Sequence, residues 1–314
     1  MPEYTFYQVD VFTSQPFGGN PLAVFPDAAG LDTAQMQAIA KEMNLSETTF
    51  VFASNTPEAD YVVRIFTPES EMLFAGHPVV GTHWVLAHLG RVTLREPVTT
   101  VRFALNVGVR AAALHVENGV VTRVVMDHQR PEFVATATQE QTIRLAQGLG
   151  MAPEAILETG WPVQVVSSGI RQLFIPARSL AEVQALSPKR QDTSILSQLC
   201  TELDSLQRCN ECLMVLTLET TDPAMSVHTR MFAPGLGIGE DAATGSASGG
   251  LGAYLIENRI LPATPPTTML LSEQGIEMGR PSRIGIEVDG TPGAISMIRV
   301  GGEVVPLING ILKW

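Results

Sequence analysis

Apolar and polar positions alternate from Tyr4 to Phe12, a stretch rich in Val, Phe and Tyr, and this period of two predicts a strand. Gly18-Gly19-Asn20-Pro21 breaks it, and Leu22–Phe25 resumes as a short strand, which suits a hairpin-like turn. The pattern then changes to a helical one. Asp32 caps a helix to about Met43, with Ala34, Met36, Ile39 and Ala40 as its apolar face and Asn44 at its C-terminal end. Ser46-Glu47-Thr48-Thr49 leads into a strand at Phe50-Val51-Phe52, so Glu47 sits at a helix-to-strand junction, where side chains often project into clefts. Further strands are predicted at Tyr61–Phe66, Thr99–Phe103, Val107–His115 and Val120–Met126, with a turn at Thr67-Pro68. Gly76-His77-Pro78 precedes an apolar helical run from about Val80 to Leu89.

The polar segment Asp127–Phe133 contains a proline and marks a boundary between a first domain, about 1–127, and a second, about 128–298. The last strand, about 299–314, can cross back to complete the first. In the second half, helices are expected at Gln139–Leu149 and near Ser194–Leu206, with strands starting at Val163 and Leu173 and running from Leu213 to Leu218. Arg64-Ile65-Phe66-Thr67-Pro68 is echoed by Arg230-Met231-Phe232-Ala233-Pro234. Each copy ends a strand and is followed by a glycine-rich segment and a helix-forming run, Gly76–Leu89 and Gly245–Leu255. The chain therefore reads as two related halves, and the interface of such halves is a common place for a ligand cleft.

Composition narrows the class. A chain of 314 residues suggests two domains or one large one, and 45% apolar residues suffice for extensive cores. Only 17% are charged, and the net charge is -12, which repels phosphate backbones and makes nucleic acid or an anionic membrane a poor partner. No leader-like segment and no run of about eighteen apolar residues is found, and the 3 cysteines form no disulfide framework, so a cytoplasmic protein is expected.

Two segments could carry chemistry. Ala75–Thr82 and Gly237–Ala247 both put glycine and small residues ahead of a helix, where exposed N–H groups and the helix dipole hold anions such as a carboxylate. Alone, each is an ordinary tight helix entry. His77 lies in the first turn of one helix and Asp241 just before the other. A helix N-terminus favours an ionised carboxylate and a neutral imidazole, and Glu47 adds a third polar group. His228 precedes the second Arg-Phe-Pro segment, from which it could line the cleft, but packing is the expectation. Cys209-Asn210-Glu211-Cys212, with Cys200 upstream, lacks the fourth ligand of a structural zinc site and precedes a strand rather than opening a helix, so buried or idle thiols are expected. GxxxxGK[ST], a convincing GxGxxG between strand and helix, and GxSxG are all missing.

Asn44–Val51, Phe74-Ala75-Gly76-His77-Pro78 with Gly81-Thr82, and Glu240–Ala247 closely resemble motifs of the PhzF (phenazine-biosynthesis) family. So do Val9–Phe12 with Gly19-Asn20-Pro21, Gln274-Gly275 with Met278–Ser282, and Val300-Gly301-Gly302, in the same order along essentially the whole chain. Ala242 departs from the proline usual in the family. The resemblance implies the α+β diaminopimelate epimerase-like fold, in which two pseudo-symmetric domains each curl a sheet around a central helix, with the active site in the cleft between them. It implies a homodimeric, metal- and cofactor-independent isomerase, like that acting on trans-2,3-dihydro-3-hydroxyanthranilate, that moves a proton between carbons of a small carboxylate substrate. Glu47 would be the general acid/base, His77 and Asp241 its catalytic partners, and Gly76, Gly245 and Ser246 substrate-binding residues. A carboxylate in a partly dry cleft can take a proton and return it. Racemases of the same fold use two cysteines, at the positions of Ala75 and Thr244 here, so two-thiol racemisation is not expected. Another epimerisation, or a binding protein without turnover, is the alternative.

Overall fold

The computed structural model describes residues 2–73, 76–204 and 212–313. In chain order the first elements are β1 (Glu3–Val11), β2 (Asn20–Phe25), α1 (Thr33–Met43), β3 (Glu47–Ala53), β4 (Tyr61–Phe66), β5 (Glu71–Met72), α2 (Gly76–His88), β6 (Val98–Leu105), β7 (Gly108–Glu117) and β8 (Val120–His128). They are followed by β9 (Glu132–Thr136), α3 (Gln139–Leu149), α4 (Glu154–Leu157), β10 (Gln164–Ser167), β11 (Arg171–Pro176), α5 (Leu180–Gln184), α6 (Thr193–Leu203) and β12 (Leu213–Thr217). The remainder is β13 (Val227–Ala233), β14 (Ile238–Asp241), α7 (Gly245–Glu257), β15 (Thr267–Gln274), β16 (Ser282–Asp289), β17 (Met297–Gly302) and β18 (Val304–Lys313). The chain divides into two compact units, Met1–Asp127 with Gly301–Trp314, and His128–Val300.

In the first unit β18 pairs with β1, and β1 with β2, both antiparallel. The order continues with β3 parallel to β2, β4 antiparallel to β3, β6 parallel to β4, and β7 antiparallel to β6. The short β5 folds back on β4. The second unit repeats this scheme. β11 is antiparallel to β10, β12 parallel to β11, β13 antiparallel to β12, β15 parallel to β13, and β16 antiparallel to β15, while β14 folds back on β13. The five-residue echo in the sequence thus belongs to a duplication of the whole strand order.

Each unit closes its sheet over one helix. In α2, Gly76–His83 and Val85–Ala87 are buried, and the helix packs on β1, β2, β3, β7 and β18. A helix buried on all sides must be apolar all round, as GHPVVGTHWVLA largely is. α7 is buried in the same way and packs on β10, β11 and β16. Both units are therefore α+β, as expected from the sequence. No helix among the described residues is long and apolar enough to cross a membrane.

Two local readings need correction. Ala34 is exposed, and the buried side of α1 is Met36, Ile39 and Ala40. Two residues before Met36 is about 200° around the helix, so Ala34 faces away. The helix expected from about Val80 begins at Gly76. Pro78 does not prevent this, because N–H groups in the first turn lack an intrahelical acceptor, so its missing one costs nothing.

Candidate active site

In the first unit, packing around Gly81 sets the position of α2. A Cβ at Gly81 would come 2.6 Å from Leu22 Cδ2 and 2.8 Å from Val11 Cγ2, so only glycine lets the helix approach β1 and β2 this closely. His77 lies four residues earlier and thus on the same face of the helix. Leu22 is the register partner of Glu47, the first residue of β3. The contact that seats Gly81 on Leu22 consequently brings His77 to the start of β3. A hydrogen bond of 2.8 Å between the buried hydroxyls of Thr49 and Thr82 ties the same strand and helix together.

His77 Nε2 and Glu47 Oε2 lie 3.3 Å apart, with the two side chains 4% and 12% exposed. Burial pushes the His77 pKa down to about 3, so the imidazole is neutral at physiological pH. A neutral ring can donate to a carboxylate or accept from a carboxylic acid, according to which nitrogen holds its proton. His77 can therefore partner Glu47 in either protonation state. Gly76 opens the helix beside this pair.

In the second unit, Asp241 ends β14, Thr244 precedes α7, and Gly245 and Ser246 are the first two helical residues. The Thr244 hydroxyl donates to Asp241 Oδ2 and makes no cap hydrogen bond to the helix. Such a helix start presents N–H groups that a carboxylate can accept from. The turn is braced from β15. Gln274 Nε2 donates to the Asp241 carbonyl at 2.8 Å and to Thr244 Oγ1 at 3.0 Å, and Gln274 Oε1 accepts from Thr244 N at 3.1 Å. Gly275 follows with φ +75°, and a Cβ there would stand 2.4 Å from the Ala242 carbonyl oxygen and 2.5 Å from that of Arg280. Ser282 Oγ donates to the Gln274 carbonyl at 3.0 Å. The Gln274-Gly275 and Ser282 motif positions thus support the turn. Their role was not readable from spacing, because the bracing strand is some thirty residues away from the turn in sequence.

The other candidates fall elsewhere. Cys200 and Cys212 are buried, and Cys209 lies outside the described residues. So does Ala75, one of the two positions used by the thiol racemases, while the other is occupied by Thr244, whose hydroxyl is engaged with Asp241. His228 is buried, but it is more than a packing residue, since both ring nitrogens meet carboxylates.

Comparison with known proteins finds relatives over nearly the whole chain. A family model described as phenazine biosynthesis-like protein matches residues 9–310. The chain is 36% identical to an uncharacterized isomerase of Mesorhizobium japonicum, over 96% of each chain. It is 33% identical to the trans-2,3-dihydro-3-hydroxyanthranilate isomerase of Pseudomonas aeruginosa, over 98% of each. A PhzF-family crystal structure from Bacillus anthracis superimposes with a TM-score of 0.86 at 26% identity, covering 100% of both chains. A hydroxyproline epimerase from Agrobacterium vitis shares the fold alone, with a TM-score of 0.68 at 14% identity, covering 99% of this chain and 91% of that one. With the duplicated sheet, the motif turns and the full-length matches in agreement, the chain belongs to the phenazine biosynthesis-like (PhzF) family and is an isomerase.

Proposed function

We propose that the protein moves a proton between carbons of a small cyclic amino or hydroxy acid, the class to which trans-2,3-dihydro-3-hydroxyanthranilate belongs, with Glu47 as general acid/base. The observation that carries this reading is the sheltered Glu47–His77 pair, 3.3 Å apart, in which the histidine is neutral. The Glu47 carboxylate accepts a proton from one carbon, and the electron pair left behind delocalises into the adjacent double bond and substituents. The resulting carboxylic acid returns the proton to another carbon, so atoms and electrons balance without a further reagent. His77 orients the carboxyl and exchanges one hydrogen-bond sense for the other as Glu47 gains and loses the proton. Asp241 binds a polar substituent of the substrate. The first N–H groups of α7, at Gly245 and Ser246, hold its carboxylate, and Gly76 leaves room beside His77.

The experiment is proton exchange in deuterated buffer with dihydrohydroxyanthranilate and related cyclic amino acids, followed by mass spectrometry and NMR, with Glu47→Gln alongside. Deuterium incorporation or isomerisation that disappears in Glu47→Gln supports the assignment. Exchange that persists in the variant removes Glu47 from the mechanism. No exchange with any of these acids in the wild type points to a different substrate class or a binding role.

A further inference from the structure

The second unit contains a buried charge cluster that proton transfer at Glu47 does not use. His228 on β13 has no exposed surface. Its Nδ1 lies 2.8 Å from Oε1 of Glu273 on β15, and its Nε2 lies 3.0 Å from Oε1 of Glu277 in the short 3-10 turn Ile276–Met278. Both contacts are hydrogen bonds to carboxylates only if both nitrogens carry hydrogen, which makes the ring an imidazolium. Burial pushes its pKa down, but the hydrogen bonds to Glu277 and Glu273 outweigh burial and leave it above the ordinary value. Glu273 is fixed in turn by Thr221 N and Asp222 N at 2.6 and 3.2 Å, and by Thr221 Oγ1 at 2.8 Å. The other charged groups around the ring are Arg230, whose Nε is 3.9 Å from Glu277 Oε2, Glu240, which Arg230 grips with two nitrogens, and the surface pair Asp222–Arg283.

The cluster surrounds one structural feature. Glu273 and Glu277 flank Gln274-Gly275, the segment that braces Asp241 and Thr244, and Glu240 immediately precedes Asp241. Both chain segments that define the turn are therefore attached to the same charges. The scaffold does not require this. In the first unit the strand pairing that matches His228 with Glu273 matches Val62 with Ala104. The duplicated sheet forms there with two apolar residues, so the charged pair serves something specific to the second unit.

We propose that protonated His228 is a positioning residue for the Asp241–Gly245 turn, holding the Gln274-Gly275 brace in place through Glu273 and Glu277. The significance of that turn for substrate rests on the reading of function above, whereas the coupling itself does not.

The test is an NMR titration of 15N-labelled full-length protein. At pH 7 both His228 ring nitrogens are expected to be protonated. The Thr244 amide, which donates to Gln274, is expected to shift with the midpoint of His228. Glu277→Gln removes one carboxylate at the less buried side and is expected to lower both midpoints together, bringing them into range where the wild-type midpoint is too high to reach. The paired change His228→Val with Glu273→Ala takes over the first unit's residues. It is expected to abolish the Thr244 titration and to raise KM about tenfold with little change in kcat, the scale of losing one charged hydrogen-bonded brace. A Thr244 amide that stays fixed while His228 titrates, or a neutral His228 ring at pH 7, overturns the proposal. Because the amide readout needs no substrate, failure of the exchange experiment and failure of this coupling are separate results.

Discussion

The two units use one plan for different purposes, and the residues that differ are the chemical ones. Arg64 on β4 and Arg230 on β13 are equivalent, and each grips a glutamate on the returning strand, Glu71 or Glu240, while lying 5.1 Å over the ring of Phe66 or Phe232. One position further along that strand, Met72 pairs with Ile65 in the first unit, and Asp241 pairs with Met231 in the second. Thr48 opposes Phe66 as Leu213 opposes Phe232, so the position of Glu47 corresponds to Cys212. With Gly76 and Gly245 opening the two central helices, His77 corresponds to Ser246. The paired arginine and the glycine entry occur in both units because they build the turn. Glu47, His77 and Asp241 have Cys212, Ser246 and Met72 at their counterpart positions, so none of the three recurs in the other unit's equivalent place. On the proposed reading, a duplicated scaffold divides its roles, with the proton carrier on one copy and the substrate-holding groups on the other.

The largest effect expected from breaking this division is on turnover. Glu47→Gln should lower deuterium exchange by about a thousandfold, within the range of a lost general acid/base, whereas Asp241→Asn should act mainly through KM. Steady-state kinetics that show the same kcat loss for both variants would contradict the split. Next is the brace of the second turn. Gly275→Ala places a Cβ 2.4 Å from a backbone oxygen at a left-handed φ, and should cost about 2–4 kcal/mol in urea unfolding. The two arginines should then separate by burial. Arg230 is 3% exposed and also donates to the carbonyls of Val183, Gln184 and Leu186, so Arg230→Met should cost about 3 kcal/mol. Arg64 is 22% exposed, and Arg64→Met should cost about 1 kcal/mol or less in the same assay.

The smallest effect is a pH dependence of opposite sign for the buried neutral histidines and for His228. The His77 pKa is depressed to about 3, and those of His83 and, in the second unit, His128 to about 4, all by burial. Their contribution to stability is present above the unfolded value of about 6.5 and is lost as pH falls toward those folded values. The His228 pKa is raised, so its contribution is complete below about 6.5 and is lost as pH rises through the folded value. Unfolding measured across pH should show His77→Asn flattening the acid limb, while the His228→Val/Glu273→Ala pair flattens the alkaline one. An unchanged acid limb in His77→Asn would mean that this ring is not held neutral.

Local elements were legible wherever a short-range signal dominates. Asp32 and Gln35 form a capping box at the start of α1, and Asn44 ends it at φ 50°, as side-chain chemistry at those positions dictates. Thr138 and Gly150 bound α3 for the same reasons. Where two arrangements satisfy the local pattern, the sequence does not choose between them. Ala34 is as apolar as Ala40 and yet is exposed, and the helix expected from about Val80 begins at Gly76, because its first turn accommodates Pro78. Packing is the sequence expectation for His228, and no local pattern reveals its two carboxylates, which lie 45 and 49 residues away.

The sequence by itself determined the family, the α+β class, the duplication echoed at Arg64 and Arg230, and the identity of the polar residues at the two helix entries, since these depend on residue type and on spacing within a few residues. Only the tertiary structure decided that His77 meets Glu47, that Gln274 braces Asp241 and Thr244, and that His228 lies between two glutamates. Each of these pairs is joined by strand register and by the depth to which a helix enters its sheet. Those follow from packing of the whole core, as at Gly81 on Leu22, and no local pattern encodes them.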